Sequence, residues 1–293
     1  MKHSELKKDY LKIAVQKEGR LSDQSLGLIR EAGIRHAQDG KRKLISTGEN
    51  FPIEILYLRD DDIPQYVADD VADIGIVGEN EVMEKGREVE LVERLGFARC
   101  RLSLAIPQSD KYQDMTWFNG RRIATSYPRI LRDFLEKNNI DAEIHEISGS
   151  VEIAPGIGLA DAIFDIVSTG STLLHNRLKE VEVVTRSEAV VIASPMMKKA
   201  KREILDDLLF RFRAVQRSKN NKYILLNVPD TNIAEIVRLL PGIKSPTIMP
   251  LYEKGWSSLH SVVNENEFWE IIGKLKELGA EGILVVPIEK MVY

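Results

Sequence analysis

Between Ala162 and Leu173 an apolar run, Ala-Ile-Phe-Asp-Ile-Val, leads into Ser168-Thr169-Gly170-Ser171-Thr172 and then into a helical pattern that begins near Leu173. Strand, small polar turn and helix start together make an anion cradle. The N–H groups at a helix N-terminus point outward, the helix dipole favours negative charge, and a glycine lets the backbone approach a ligand closely. Four hydroxyls in the turn add donors. That set suits a phosphomonoester, with its several acceptor oxygens and its charge, better than a neutral ligand. Asp165, three residues before the turn, can accept hydrogen bonds from ribose hydroxyls or help position a cation. Each feature also has a plainer reading. The turn can be a Ser/Thr-capped helix start, and the carboxylate a strand-end Asp held by nearby backbone N–H groups.

Two further acidic sites have chemistry open to them. Asp73 opens a strand that ends in the Gly-rich turn around Gly75 and Gly78, which gives it a nucleotide or cleft role beside the alternative of a structural turn residue. The run Asp60-Asp61-Asp62 can bind Mg²⁺ or cap a helix that starts at Ile63-Pro64. No pair of the five histidines has metal-ligand spacing, so no structural metal is expected.

The elements that must position these residues follow an α/β pattern, with short Val- and Ile-rich runs alternating with amphipathic stretches of helix length. Strands are predicted at 11–15, 53–58, 73–77, 103–106, 122–125, 143–146, 162–167 and 181–185. Helices are predicted at 22–32, capped by Ser22 and closed by Gly33, at 129–138, and at 198–219, the last looking like a link between two parts. After Asn220-Asn221 the order becomes β-α-β-β-α-β in about 70 residues, the ferredoxin-like arrangement. A domain boundary is drawn near residue 221.

Composition sets the class. The chain has 293 residues, 45 Asp plus Glu against 41 Lys plus Arg, 43% hydrophobic residues and one cysteine. That length predicts two or three domains. A formal charge of −4 gives no broad footprint for nucleic acid. Cys100 alone allows no intrachain disulfide and no Cys-rich zinc cluster, and it is expected to be buried rather than reactive. The charged start and the lack of a long apolar run lead us to expect a soluble, cytoplasmic protein with no membrane partner.

From Asp165 onward, with Thr169, Gly170 and Thr172, the loop resembles the phosphoribosyl diphosphate loop of type I phosphoribosyltransferases, although Phe164 replaces the first of their two acids. A longer stretch is more specific. Glu152, Gly158-Leu-Ala160, Ile163-Phe-Asp165-Ile and Thr169-Gly-Ser-Thr-Leu173 together resemble the signature of ATP phosphoribosyltransferases. Gln16-Lys-Glu-Gly-Arg-Leu-Ser22, Arg59-Asp-Asp-Asp-Ile-Pro64, Asp73-Ile-Gly-Ile-Val-Gly-Glu-Asn80, Cys100-Arg-Leu-Ser-Leu104, Arg122-Ile-Ala-Thr-Ser-Tyr-Pro128 and Ser245-Pro-Thr-Ile-Met-Pro-Leu251 extend the resemblance over essentially the whole chain.

The resemblance implies transfer of a phosphoribosyl group from phosphoribosyl diphosphate to N1 of ATP, with Mg²⁺ and release of pyrophosphate. Ser168, Thr169, Gly170, Ser171 and Thr172 would hold the 5-phosphate, Asp165 the ribose hydroxyls, and Lys17 and Arg20 a phosphate or the nucleotide; Arg20 and Asp165 are the catalytic candidates. It further implies two α/β lobes of the type II periplasmic-binding-protein kind, residues 1–107 (joined by part of 195–220) and 108–194. A C-terminal, ACT-like regulatory domain over 222–293 would bind histidine as feedback inhibitor through Asn227, Ile243, Ser245, Thr247 and Gly282. A homo-oligomer, dimer to hexamer, is implied too. Prephenate dehydratases share the architecture, and a non-catalytic ligand sensor would use the same lobes; neither reading gives the 168–172 loop a task.

Overall fold

The computed structural model describes residues 10–36 and 44–292. The chain runs β1 (Leu11–Gln16), α1 (Arg20–Glu31), β2 (Ile45–Thr47), β3 (Ile53–Leu58), α2 (Ile63–Ala68), β4 (Ile74–Gly78), α3 (Glu79–Lys85) and β5 (Glu90–Arg94). It continues with β6 (Cys100–Pro107), β7 (Arg122–Thr125), α4 (Pro128–Lys137), β8 (Glu143–Glu146), β9 (Ala162–Val167), α5 (Ser171–His175) and β10 (Leu178–Ser187). Last come β11 (Ala189–Ala193), α6 (Lys199–Lys219), β12 (Asn221–Pro229), α7 (Ile233–Leu239), β13 (Thr247–Pro250), β14 (Trp256–Asn264), α8 (Glu265–Glu277) and β15 (Glu281–Pro287).

Three sheets result. The first has the order β2-β3-β1-β4-β11-β5, with β1 parallel to β3 and β4 and with β11 antiparallel to both its neighbours. The second, β10-β6-β9-β7-β8, combines a parallel β9-β7-β8 core with antiparallel β6 and β10. These are the two lobes, and the α/β architecture is of the type II periplasmic-binding-protein kind. The third sheet, β13-β14-β12-β15, is antiparallel and carries α7 and α8 on one face, where Ile224, Leu226, Val228, Leu259, Phe268 and Leu275 form the core. Its element order is the expected β-α-β-β-α-β.

The lobe boundaries need correction. Residues 100–107 were expected in the first lobe, but β6 pairs with β9 and β10 of the second. The chain returns to the first lobe at Ala189, before Pro195, because β11 inserts between β4 and β5. Every residue of Ala-Val-Val-Ile-Ala is buried, so the strand shows no alternation. Glu188 alone makes the second crossing, without a glycine or proline to mark it. The strands β2 and β5 were also missed; both lie at sheet edges, and β5 is exposed and charged.

Two compact units make up the chain. One contains both lobes and ends at Leu205; the other begins at Asp206 and takes Leu28–Gly33 as well. These compact units part within α6, while the elements of the third sheet begin with β12 at Asn221, where the boundary was drawn. The C-terminal part of α6 is tied to the end of α1 by Lys219–Glu31 (3.0 Å) and by Arg211 donating to the Ala32 carbonyl. Among the described residues no helix is long and apolar enough to cross a membrane.

Candidate active site

Side chains alternate along β9. Ala162 and Phe164 enter one core with Leu102, Leu104, Phe118 and Ile123, while Ile163 and Val167 enter another with Val151, Ala154 and Leu173. Asp165 shares the second face and stands half-buried among apolar groups, opposite Ser103 of β6. Burial pushes its pKa up to about 6; the Ile166 N–H, at 2.8 Å, opposes the rise and the charge of Glu152 adds to it.

The loop after β9 turns at Gly170, whose φ of 82° is the left-handed region that glycine adopts at little cost. A Cβ there would meet nothing within 4 Å, so the approach to the loop backbone is open. Helix α5 starts at Ser171, two residues ahead of the expected Leu173. Ser168, Thr169, Ser171 and Thr172 are exposed, and the hydroxyls of Thr169 and Ser171 lie 3.0 Å apart. All five expected loop residues thus stand together at the carboxyl end of a parallel strand, the edge at which open α/β sheets take ligands.

A brace under this loop escaped sequence reading. Arg101 of β6 binds Glu180 of β10 through two bonds of 2.5 and 2.6 Å, Ser103 donates to the same carboxylate at 2.6 Å, and Arg101 donates to the Ser168 carbonyl at 3.1 Å. The Arg101 guanidinium lowers the Glu180 pKa. Residue 101 meets residue 168 only because β6 pairs with β9 and β10. Spacing along the chain cannot show that.

In the first lobe Lys17 and Arg20 are exposed in the turn at the carboxyl end of β1, where the Lys17 N–H donates to the Leu58 carbonyl at 2.8 Å. Ser22 does not cap α1. The helix starts two residues earlier, with Asp23 N–H bonded to the Gly19 carbonyl at 3.0 Å, and Ser22 is buried inside it. This places Arg20 at the helix start, where the free N–H groups lie.

Asp73 requires a larger correction. It precedes β4 and so lies at the opposite end of that strand from the Gly78 turn; it is 4% exposed. Its carboxylate accepts from the Lys12 N–H at 2.7 Å and from Lys201 Nζ at 2.8 and 2.7 Å. The strand lies where it was expected, but the residue at its beginning is held in a structural ion pair. Asp60, Asp61 and Asp62 form a short 3-10 turn before α2; Asp61 pairs with Arg59 (3.4 Å) and Lys85 (3.7 Å), and the side chain of Asp62, at the N-cap, makes no capping bond. Among the described residues no three His, Cys, Asp or Glu side chains gather as a metal cage. Cys100 is half-buried rather than buried, and desolvation pushes its thiol pKa up against an opposing contact with Ser187.

Tyr127 of the second lobe meets helix α3 of the first. Its hydroxyl donates to Glu81, at 3.0 Å, and its pKa is raised by burial first, then by Glu81, with Asp165 and Asp60 contributing. Glu81, itself buried, has a raised pKa, chiefly from desolvation. Asn80 and Tyr127 both occur in motifs visible in the sequence, yet nothing in either motif signals their meeting.

In the third sheet Asn227 and Gly282 are neighbours. A Cβ on Gly282 (φ 57°) would sit 3.1 Å from the Asn227 amide nitrogen. Thr247 opposes His260, which opposes Leu225, so Thr247 and Asn227 share the face turned away from α7 and α8. Ile243 and Ser245 are exposed in the segment just before β13.

Comparison with known proteins identifies the family. The model of the ATP phosphoribosyltransferase family matches residues 59–214, and that of the HisG C-terminal domain matches 218–290. ATP phosphoribosyltransferases of Parabacteroides distasonis and Bacteroides thetaiotaomicron are 62% and 60% identical over 282 residues, 96% of this chain and 99% of each relative. A solved structure from Thermotoga maritima, the ATP phosphoribosyl transferase (HisG:HisZ) complex, is similar at 28% identity and TM-score 0.62, covering 71% of this chain and 98% of that one. With relatives this similar over nearly its whole length, the chain belongs to the ATP phosphoribosyltransferase family of histidine biosynthesis.

Proposed function

We propose that this protein transfers the phosphoribosyl group of phosphoribosyl diphosphate to N1 of ATP, giving N1-(5-phosphoribosyl)-ATP and pyrophosphate, the first step of histidine biosynthesis. One observation carries the assignment of the donor: a desolvated carboxylate, Asp165, stands at the head of an open loop with exposed Ser and Thr side chains. Ser168, Thr169, Gly170, Ser171 and Thr172 hold the 5-phosphate, and Asp165 accepts from the ribose hydroxyls. Lys17 and Arg20, exposed at the carboxyl end of β1 in the first lobe, take phosphates of the nucleotide.

Adenine N1 has an unprotonated lone pair, so its attack on C1 needs no base. Alignment and charge stabilisation dominate. The leaving diphosphate gathers negative charge while the sugar becomes oxocarbenium-like, and Asp165 places negative charge beside that cation. Mg²⁺ bound with the diphosphate would neutralise part of its charge, a mode that needs at most one or two protein carboxylates. Asp165 and Glu152 are the acids beside the loop.

Mixing the protein with ATP, phosphoribosyl diphosphate and Mg²⁺ is expected to yield pyrophosphate and a nucleotide heavier by one phosphoribosyl unit. Thr169→Ala is expected to raise KM for phosphoribosyl diphosphate by about 10-fold or more and KM for ATP by less than about 2-fold, since a bond to a charged group is worth roughly 1.5–3 kcal/mol. Equal rises for the two substrates count against the loop assignment.

The C-terminal sheet supports feedback by histidine: Asn227, Thr247 and Ser245 offer polar groups for an amino acid's charged ends, and Ile243 offers an apolar wall. Gly282→Val is expected to press on the Asn227 amide and to abolish histidine binding in a calorimetric titration of the full chain, leaving uninhibited turnover intact. Unchanged affinity removes Gly282 from the site. On the same face Tyr223, Met249, Leu284 and Val286 are exposed, which supports assembly into a homo-oligomer, dimer to hexamer. A cytoplasmic setting fits both substrates.

A further inference from the structure

Helix α4 begins without a cap of its own. Its N-cap residue, Tyr127, makes no side-chain capping bond, and Pro128 opens the helix. The acceptor for its first N–H groups comes from the other lobe: Glu84 of α3 takes Arg129 N–H at 2.9 Å on one oxygen and Ile130 N–H at 3.0 Å on the other. A charged acceptor bound to two donors at a helix N-terminus is among the stronger polar contacts available to a protein. One turn earlier on α3, Glu81 Oε1 accepts from the Tyr127 hydroxyl and from Asn80 Nδ2, both at 3.0 Å. Asn80 in turn joins the second crossing between the lobes, its N–H donating to Ser187 Oγ at 3.0 Å and its Oδ1 accepting from that hydroxyl at 2.8 Å. Met83 packs against the core of the second lobe, and the Arg129 guanidinium lies where a Cβ on Gly86 would be.

We propose that α3 is a latch that holds the two lobes closed over the bound donor, with Glu81 and Glu84 as its positioning residues. The inference rests on the donor occupying the cleft that the Asp165 loop faces. Tyr127 joins the two functions, because the residue gripped by Glu81 also feels the charge of Asp165. With the latch engaged, loops from both lobes stand together and water is kept from the diphosphate bond. With it released, each substrate must draw the lobes together from its own binding energy, which raises KM more than it lowers kcat.

The test uses the full chain in a Cys100→Ser background, spin-labelled at Asp69 and Lys137, one position on each lobe, with Glu84→Gln and Tyr127→Phe introduced singly and together. Both are near-isosteric and leave the cores untouched. Without substrate, the double variant is expected to show a longer and broader label distance than the parent, and each single variant an intermediate one. In the assay, KM for both substrates is expected to rise at least about 5-fold with kcat within about 2-fold. An unmoved distance distribution overturns the latch. A fall in kcat with unchanged KM, as from partial unfolding, overturns it as well. Because the distance is read without substrate, a failure of the donor assignment alone would leave the distance shift in place and remove only the KM effect for that donor.

Discussion

At pH 8 an Asp165→Asn variant is expected to melt several degrees above the parent protein while losing roughly 10²–10³-fold in kcat/KM. The stability part follows from linkage. The folded pKa, about 6, lies above the ordinary value of 3.8, so the folded chain holds this proton more tightly than the unfolded chain does. Below the unfolded value both states are protonated and the group is neutral to stability; as pH rises toward 6 stability is lost, and above 6 the full cost remains. That cost is about 3 kcal/mol at most. Asparagine keeps an acceptor for the Ile166 N–H and sheds the desolvated charge. The activity part follows from chemistry, since an amide cannot place negative charge beside the sugar cation. A pH series separates the two. The ratio of parent to variant kcat/KM should climb between pH 5 and 7 and then level, while titration of the substrate's own phosphates cancels in the ratio. A ratio flat across that range would remove Asp165 from the chemistry.

Phe164→Asp would restore the pair of acids found in type I phosphoribosyltransferases, and it is expected to abolish folding of the second lobe rather than improve catalysis. Alternation along β9 turns residue 164 away from the loop, into the core with Leu104, Phe118 and Ile123, where it is fully buried. An unpaired carboxylate there faces a desolvation cost of several kcal/mol, added to the roughly 3–5 kcal/mol lost with a large aromatic side chain. Phe164→Leu, at about 1.5 kcal/mol or less, is the control and should stay active. Thermal melts and limited proteolysis of both variants check the claim; a folded, active Phe164→Asp protein would show that this strand face is not a core.

Residues whose placement depends on local geometry were legible in the sequence. Strand, turn and helix start at 162–173 are fixed by a dozen consecutive residues, so Asp165 and the loop were found together. The third domain was legible for the same reason, since its six elements follow one another and pack on each other. What escaped was whatever depends on pairing between distant segments. Arg101 reaches Ser168 through sheet register, Glu84 reaches α4 across lobes, and Asp73 was misread because its partners, residues 12 and 201, lie far away along the chain. The lobe boundaries failed for a related reason. Strand β11 is apolar at every position, and such a run announces burial without saying in which sheet.

The place of β11 also orders the birth of the molecule. When β5 has left the ribosome, the first sheet still has a gap, because β4 and β5 are joined only through β11, which is not made until Ala193. The second lobe has no such debt to later residues, since all its strands lie between Cys100 and Ser187. It can therefore fold during synthesis while its predecessor waits with an open edge. The 168–172 loop is thus assembled on the lobe whose sheet is complete first, and the turn carrying Lys17 and Arg20, though translated at the outset, reaches its final setting afterwards.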